Sequence, residues 1–176
     1  MPSRSFSLTE SRQLLGHTPA ALDALLRPLP AGLLDVDEGP GTWSPCQVLG
    51  HLAWGDVDDW MPRVRRVLAG TGEAFTPFDR EAGFAKYAGW RVDRLLDEFH
   101  SLRAASLLEL DALALGPAHL TQEGRHPEFG RVTLEQLLAT WVTHDWAHLS
   151  QITRVVTRHY GQWVGPWRAY FSLLRP

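Results

Sequence analysis

The sequence has a single cysteine, no long apolar run and no concentration of positive charge. Cys46 alone excludes an internal disulfide and a cysteine-rich zinc site. No apolar segment approaches the roughly 20 residues that a membrane-spanning helix needs, and the N-terminal region lacks the pattern of a signal peptide. The net charge of −3 argues against nucleic-acid binding by electrostatics alone. We therefore expect a cytoplasmic protein with neither a nucleic-acid nor a membrane partner.

Several catalytic signatures are missing as well. The chain has no glycine-rich phosphate loop, no Gly-x-Ser-x-Gly elbow and no Cys-x-x-Cys pair. Phosphoryl transfer and serine hydrolysis therefore have no support. The residue types in excess are histidine and tryptophan, with eight of each. Neutral imidazole is the commonest metal ligand in proteins, so the histidines are the first candidates for a functional site.

The composition and length predict one globular domain spanning residues 1–176. Hydrophobic residues make up 44% of the chain and charged residues 21%, as in ordinary soluble proteins. Four segments carry apolar residues at helical spacing, and three of them begin with a residue that can cap a helix. The predicted helices run from Ser7 to Pro28, from Ser44 to about Ala69, from about Trp90 to Leu113, and from Thr133 to Tyr160.

Prolines and long connections complicate these helices. Pro19 is expected to split or kink the first helix, and Pro62 to bend the second. Residues 70–89 read as an ordered loop with a short helical piece, and residues 115–131 as a second loop. Because residues 165–174 are rich in aromatic side chains, we expect them to form a short docked helix. The predicted fold is all-α, a four-helix bundle with long connections and a short C-terminal helix.

His144 and His148 lie four residues apart in the fourth predicted helix. That spacing places both imidazoles on one helical face, which also carries Trp141 and Ile152 and therefore points toward the core. A buried polar ring without a partner costs free energy. A shared metal ion would supply a partner, and so would hydrogen bonds in a metal-free core. The spacing alone does not choose between them.

Three motifs resemble the DinB-like superfamily of metal-binding bundles over roughly residues 8–174. They are Ser-Pro-Cys-Gln-Val-Leu-Gly-His-Leu at 44–52, Gly-Arg-Val-Thr-Leu-Glu-Gln-Leu-Leu at 130–138 and His-Asp-Trp-Ala-His-Leu-Ser-Gln-Ile at 144–152. The resemblance implies a bundle that holds one zinc or nickel ion per chain through His51, His144 and His148. Related proteins include thiol-dependent S-transferases and a mycothiol-dependent maleylpyruvate isomerase. The resemblance also implies a homodimer and leaves the substrate open.

A three-histidine site would keep an open coordination position for water or substrate. Such an ion lowers the pKa of bound water or binds a thiol as thiolate. Asp58 lies two turns after His51 and is the candidate acid or base; otherwise it is a solvated or salt-bridged residue. Gln151, one turn beyond His148, is placed to orient that ring. Asp145 points about 100° away from His144, so we expect it at the surface or between helices.

Three other residues have two interpretations each, and a fourth, Cys46, has one. Trp54 and Trp141 are expected in the core, or else as walls of the site. His126 is expected in a turn, or else at the mouth of the site. Cys46 lies five residues before His51 and therefore faces elsewhere on its helix.

The sequence therefore favours a metal-dependent enzyme. Thiol-dependent S-transfer, with a low-molecular-weight thiol as cofactor, is preferred to hydrolysis only through the resemblance. The alternative is a non-catalytic stress-response protein that binds a metal or a small ligand. A third hypothesis is a structural homodimer whose buried histidines hold no metal.

Overall fold

The structure is a computed structural model that describes residues 5–175, and most of it is helical. The helices are α1 (Leu8–Leu26), α2 (Ala31–Leu34), α3 (Pro45–Asp58), α4 (Trp60–Ala69), α5 (Ala82–Lys86), α6 (Val92–Ala112), α7 (Pro117–Leu120) and α8 (Leu134–Tyr160). Strands β1 (Glu123–His126) and β2 (Gly130–Thr133) precede α8, and two 3₁₀ turns, Gly165–Tyr170 and Ser172–Leu174, follow it. The four long helices α1, α3, α6 and α8 form the predicted four-helix bundle, with α1 and α3 each packed against both α6 and α8.

Three of the four long helices, α1, α3 and α8, begin at side-chain caps, as the sequence predicts. Ser7 accepts a hydrogen bond from the Glu10 amide at the start of α1. Ser44 caps α3 and Thr133 caps α8, each in a reciprocal capping box with the glutamine three residues later. These caps satisfy backbone donors that a helix leaves free in its first turn, and so they set where each helix begins.

Pro19 does not split α1, which runs unbroken from Leu8 to Leu26. A proline inside a helix leaves the carbonyl four residues earlier without its usual amide donor. Here that carbonyl belongs to Leu15, and the Arg103 guanidinium donates to it from α6 at 3.0 Å. Of the two expected effects of Pro19, a split or a kink, the split does not occur, and a buried side chain replaces the missing backbone bond.

The predicted second helix is divided at Asp59, three residues before the bend expected at Pro62. The chain turns there, and α4 begins at Trp60. Pro62 thus lies in the first turn of α4, where an amide hydrogen is not needed. The break matters for the site, because it decides which carboxylate at the end of α3 faces inward.

Both long connections are ordered, and they touch each other. The first contains the expected short helix, α5. The second contains a hairpin that the sequence analysis missed, with β1 antiparallel to β2. The Phe75 amide of the first connection donates to the Arg125 carbonyl of the hairpin at 2.8 Å. At Gly124 a Cβ atom would lie 2.5 Å from the Phe75 ring, so only glycine allows this close packing.

The C-terminal segment differs from the predicted docked helix. It forms 3₁₀ turns, and Trp167, Tyr170 and Phe171 are exposed by 65%, 81% and 47%. Leu174 anchors the segment instead, being buried against Gly161. The expectation that the aromatic side chains would be covered is wrong for the described chain. No helix of residues 5–175 combines the length and the apolar character needed to cross a membrane.

Candidate metal centre

Three imidazoles from two helices converge on one point. His51 comes from the second turn of α3, and His144 and His148 come from successive turns of α8. The Nε2 atom of His144 lies 2.9 Å from Nε2 of His51 and 3.2 Å from Nε2 of His148. One ring nitrogen from each residue lies within 4.8 Å of the other two, which is compatible with ligation of a single ion.

Hydrogen bonds on the far side of two rings define their tautomers. Nδ1 of His51 lies 3.0 Å from the Arg80 carbonyl oxygen, which can only accept, so this nitrogen donates. Nδ1 of His148 donates in the same way to Oε1 of Gln151 at 2.8 Å, as expected from its position one turn beyond. In the neutral rings Nε2 therefore carries a lone pair that points at the convergence point. Nδ1 of His144 is buried and has no hydrogen-bond partner in the described chain.

Burial keeps these imidazoles neutral. It lowers the pKa of His51 to about 4 and, aided by the neighbouring rings and Arg103, the pKa of His144 to about 2. The pKa of His148 is lowered by burial too, although the hydrogen bond that it donates to Gln151 opposes the shift. A metal binds only the unprotonated ring, so the surroundings favour the form that ligation requires.

Aromatic rings hold the imidazoles in place. Trp43 stacks on His148 with ring centroids 6.0 Å apart, and Trp60 meets the His144 ring edge-on at 5.1 Å. Of the two positions predicted for Trp54 and Trp141, core or wall, the structure supports the core. Trp141 is fully buried behind Trp60, and Trp54 does not line the site.

The histidines open into a cavity of about 400 Å³ that both long connections help to enclose. Asp58 does not lie in it. That side chain is exposed and borders a separate, smaller depression. The buried carboxylate in the cavity belongs to Asp59, because α3 ends at Asp58 and the chain then turns. Sequence reasoning on an unbroken helix missed Asp59, and the proline at position 62 was the available signal for the break.

Asp59 is only 5% exposed, and Nε of Arg63 lies 2.6 Å from its Oδ1. Burial raises the pKa of this carboxyl to about 6, although the charge of Arg63 opposes the shift. A carboxyl group with a pKa near neutrality is suited to exchanging protons at physiological pH.

Asp145 is fully buried and belongs to an ion cluster beneath the site. Of the two predicted positions, surface or interhelix, the structure supports the second. Arg103 of α6 donates to Asp145 of α8 and, at 3.0 and 3.1 Å, to the two carboxylate oxygens of Asp56 on α3. The cluster therefore ties together the two helices that carry the three histidines.

Cys46 and His126 behave as their sequence positions suggest. Cys46 faces a different cavity, and burial raises the pKa of its thiol to about 11, so it is not an activated nucleophile. His126 fills both predicted roles. Its Nδ1 accepts hydrogen bonds from the amides of Glu128 and Phe129 in the hairpin turn, while its ring lines the histidine cavity.

Comparison with known proteins supports the fold. YfiT from Bacillus subtilis, described as a probable metal-dependent hydrolase with an unusual four-helix bundle topology, is 24% identical to this chain with a TM-score of 0.76. The alignment covers 92% of this chain and 93% of YfiT. TT2238, described as a four-helix bundle protein, is 22% identical with a TM-score of 0.58, over 84% of this chain and 98% of its own.

At these identities the two structures show a shared fold. None of the curated proteins compared with the chain is significantly similar to it. The model of the DinB superfamily matches residues 14–152, which is most of the chain. The protein therefore belongs to the DinB superfamily.

Proposed function

We propose that the protein is a metal-dependent hydrolase in which His51, His144 and His148 hold one zinc or nickel ion. The observation that carries the proposal is the convergence of three Nε2 atoms from one buried ring, His51, and two half-buried rings, His144 and His148. Hydrogen bonds commit Nδ1–H of His51 and His148 to other acceptors, so their Nε2 atoms have no proton to share. A metal ion accepts a lone pair from each of the three Nε2 atoms. In a metal-free site, one proton on Nε2 of His144 could form a hydrogen bond with only one of the other two rings.

Three nitrogen ligands suit zinc or nickel and leave a coordination position open toward the cavity. The ion, when bound, would supply a polarised water at that position. Asp59 would accept the proton from this water, and Arg63 would hold the carboxylate in place. Arg80 and Gln151 would fix the orientation of the ligand rings through His51 and His148.

Hydrolysis is preferred here to the thiol-dependent transfer that the resemblance suggested. Water is a far weaker acid than a thiol and needs a base beside the ion, and Asp59 provides one. A low-molecular-weight thiol needs less help, since its ordinary pKa of about 8.5 is already near neutrality. The two reactions share the ion and differ in the co-substrate.

The test is elemental analysis of untagged protein followed by activity measurements on the loaded form. We expect about one zinc or nickel ion per chain, and cleavage of a panel of esters and amides without added thiol. Activity that depends on mycothiol, bacillithiol or glutathione would show S-transfer instead. Failure to bind either metal after incubation would refute the proposed centre.

Replacing Asp59 with asparagine should lower kcat about 100-fold, the scale of a lost general base. The metal content should not change, because Asp59 is not a proposed ligand. In the unaltered protein, activity should rise with pH through about 6 as the Asp59 carboxyl loses its proton. This limb of the pH profile should disappear in Asp59→Asn. Asp58→Asn is the matched control, and an equal loss of activity in that exposed variant would contradict the assignment.

Replacing Gln151 with alanine should weaken metal binding about 10- to 100-fold, because His148 loses the acceptor that fixes its tautomer. Competition with a chromogenic chelator measures the affinity. Gln13→Ala, on the exposed side of α1, is the control and should leave the affinity unchanged. An unchanged affinity in Gln151→Ala would show that the ring needs no such support.

Acidification should destabilise the metal-free protein. In the folded chain the pKa of His51 is lowered from 6.5 to about 4. The contribution of the neutral His51 ring to the free energy of unfolding is therefore complete above pH 6.5. It is lost as the pH falls toward 4, because the unfolded state binds the proton at a higher pH than the folded state does. The loss is about 1.4 kcal/mol per pH unit, or about 2 kcal/mol at pH 5.

Urea denaturation at pH 7.5 and pH 5 measures this effect. The raised pKa of Asp59 has the opposite effect, since it stabilises the folded state as the pH falls. The informative quantity is therefore the difference between the stability lost by the unaltered protein and the stability lost by His51→Gln. The glutamine variant should lose less stability on acidification. Equal losses in the two proteins would mean that His51 is not held neutral.

A further inference from the structure

The histidine cavity contains one arginine, Arg80, that no acidic side chain of residues 5–175 neutralises. Arg80 lines the cavity together with the three histidines. No carboxylate of the described chain lies within ion-pair distance of its guanidinium group, and no hydrogen bond occupies that group. An arginine is always charged at physiological pH, so this group carries an uncompensated positive charge.

The Arg80 side chain is exposed, whereas the two less accessible charges of the cavity, Asp59 and Arg63, are paired with each other. Arg63 is committed to Asp59 at 2.6 Å, and its guanidinium lies over the Phe75 ring at 5.4 Å from the centroid. Glu128 also borders the cavity, but its side chain is exposed on the hairpin turn. The four charged side chains sum to zero, so the cavity becomes positive when a divalent ion binds. A positive cavity favours an anionic ligand.

The backbone of Arg80 is fixed relative to the histidines. Its carbonyl accepts the hydrogen bond from Nδ1 of His51, and the Asp79 side chain accepts from the next two amides, at 2.9 and 3.1 Å. Gly83 then packs directly on α3, where a Cβ atom would lie 2.6 Å from the Gly50 carbonyl oxygen. The positive charge of Arg80 is close enough to contribute to the lowered pKa of both His51 and His144. The backbone of Arg80 is thus anchored beside the histidines, and its exposed side chain lines the same cavity.

We propose that the substrate carries a carboxylate and that Arg80 binds it while the reacting group lies at the metal. Guanidinium and carboxylate match each other in a two-bond planar pair, which fixes orientation as well as charge. The role of Arg80 is therefore to determine specificity. The inference rests on the proposed metal centre, since the metal must position the reacting end of the same molecule.

Two small thiols test the inference on the cobalt(II)-loaded protein. The thiol of 3-mercaptopropionate and of 3-mercaptopropionamide can bind the ion and give an absorption band, and only the first carries a carboxylate. We expect the carboxylate to bind at least about 10-fold more tightly, as a charge-assisted hydrogen bond provides. Arg80→Gln should reduce the preference to within about twofold, and Arg80→Lys should give an intermediate value. Arg91→Gln, which changes an 86% exposed arginine outside the cavity, should keep the full preference.

The outcomes separate the inference from the function on which it rests. If the unaltered protein binds no cobalt, the metal centre itself is refuted and the inference falls with it. If it binds cobalt and both thiols equally well, or if Arg80→Gln keeps the carboxylate preference, only the role of Arg80 is refuted. The cobalt stoichiometry of Arg80→Gln shows that the variant is folded, since the bond to His51 uses the backbone carbonyl and survives the substitution.

Discussion

Replacing His144 with alanine should reduce metal affinity by roughly 100- to 1,000-fold, as expected when a tightly bound ion loses one of its few ligands. His144 is the central member of the site, because its Nε2 lies within 3.2 Å of the Nε2 atoms of both other rings. Without it, only two imidazoles remain, His51 from α3 and His148 from α8. Equilibrium dialysis at micromolar zinc or nickel should show near-complete loss of the bound ion, and any hydrolysis should fall with it.

His126→Ala is the matched control for this experiment. The side chain lines the same cavity, but its Nδ1 is occupied by two amides of the hairpin turn, so it is not a proposed ligand. The control should bind one ion per chain. Loss of the ion in both variants would mean that the ligand set is wrong. Retention of full affinity in His144→Ala would mean that the imidazoles are a metal-free core cluster.

Replacing Arg103 with methionine should cost about 3–5 kcal/mol of folding stability, the scale observed when a buried ion pair loses one partner. The substitution leaves the carboxylates of Asp56 and Asp145 buried without a counter-ion, and their side chains are fully inaccessible. It also removes the donor that the Leu15 carbonyl needs because of Pro19. Urea denaturation of the metal-free protein measures the loss.

Two comparisons make the result specific to buried charge. Arg12→Met breaks an exposed pair between Arg12 of α1 and Asp111 of α6 and should cost less than about 1 kcal/mol. Adding Asp56→Asn and Asp145→Asn to Arg103→Met should restore part of the stability, because the stranded charges are then removed. A cost below 1 kcal/mol for Arg103→Met alone would show that water reaches the cluster.

The parts of the fold that the sequence predicted are those encoded locally. Ser7, Ser44 and Thr133 mark helix starts because capping depends on residues only three positions apart. The pairing of His144 with His148 follows from helical periodicity alone. The contribution of His51 came from the family resemblance, since no local rule connects residues that lie 93 positions apart.

The parts that were missed depend on a small shift or on distant contacts. The helix breaks at Asp59 and not at the predicted position, Pro62. Because successive residues of a helix point about 100° apart, a small shift of this kind decides that Asp59, and not Asp58, lies at the cavity. The role of Arg103 was invisible, since its carboxylate partners lie 47 and 42 positions away. The hairpin strands have four residues each, too few for a clear alternation.

The ion cluster around Arg103 can form only late in the synthesis of the chain. A ribosome produces Asp56 and Arg103 well before Asp145, and the same final helix brings His144 and His148. Until α8 is synthesised, the chain contains Asp56 and Arg103 but not Asp145. It also contains only one of the three proposed ligands, His51. Contacts between residues so far apart in sequence form late, because closing long loops costs entropy. Metal capture should therefore begin only after α8 has been synthesised, which makes ion uptake a marker of the assembled bundle.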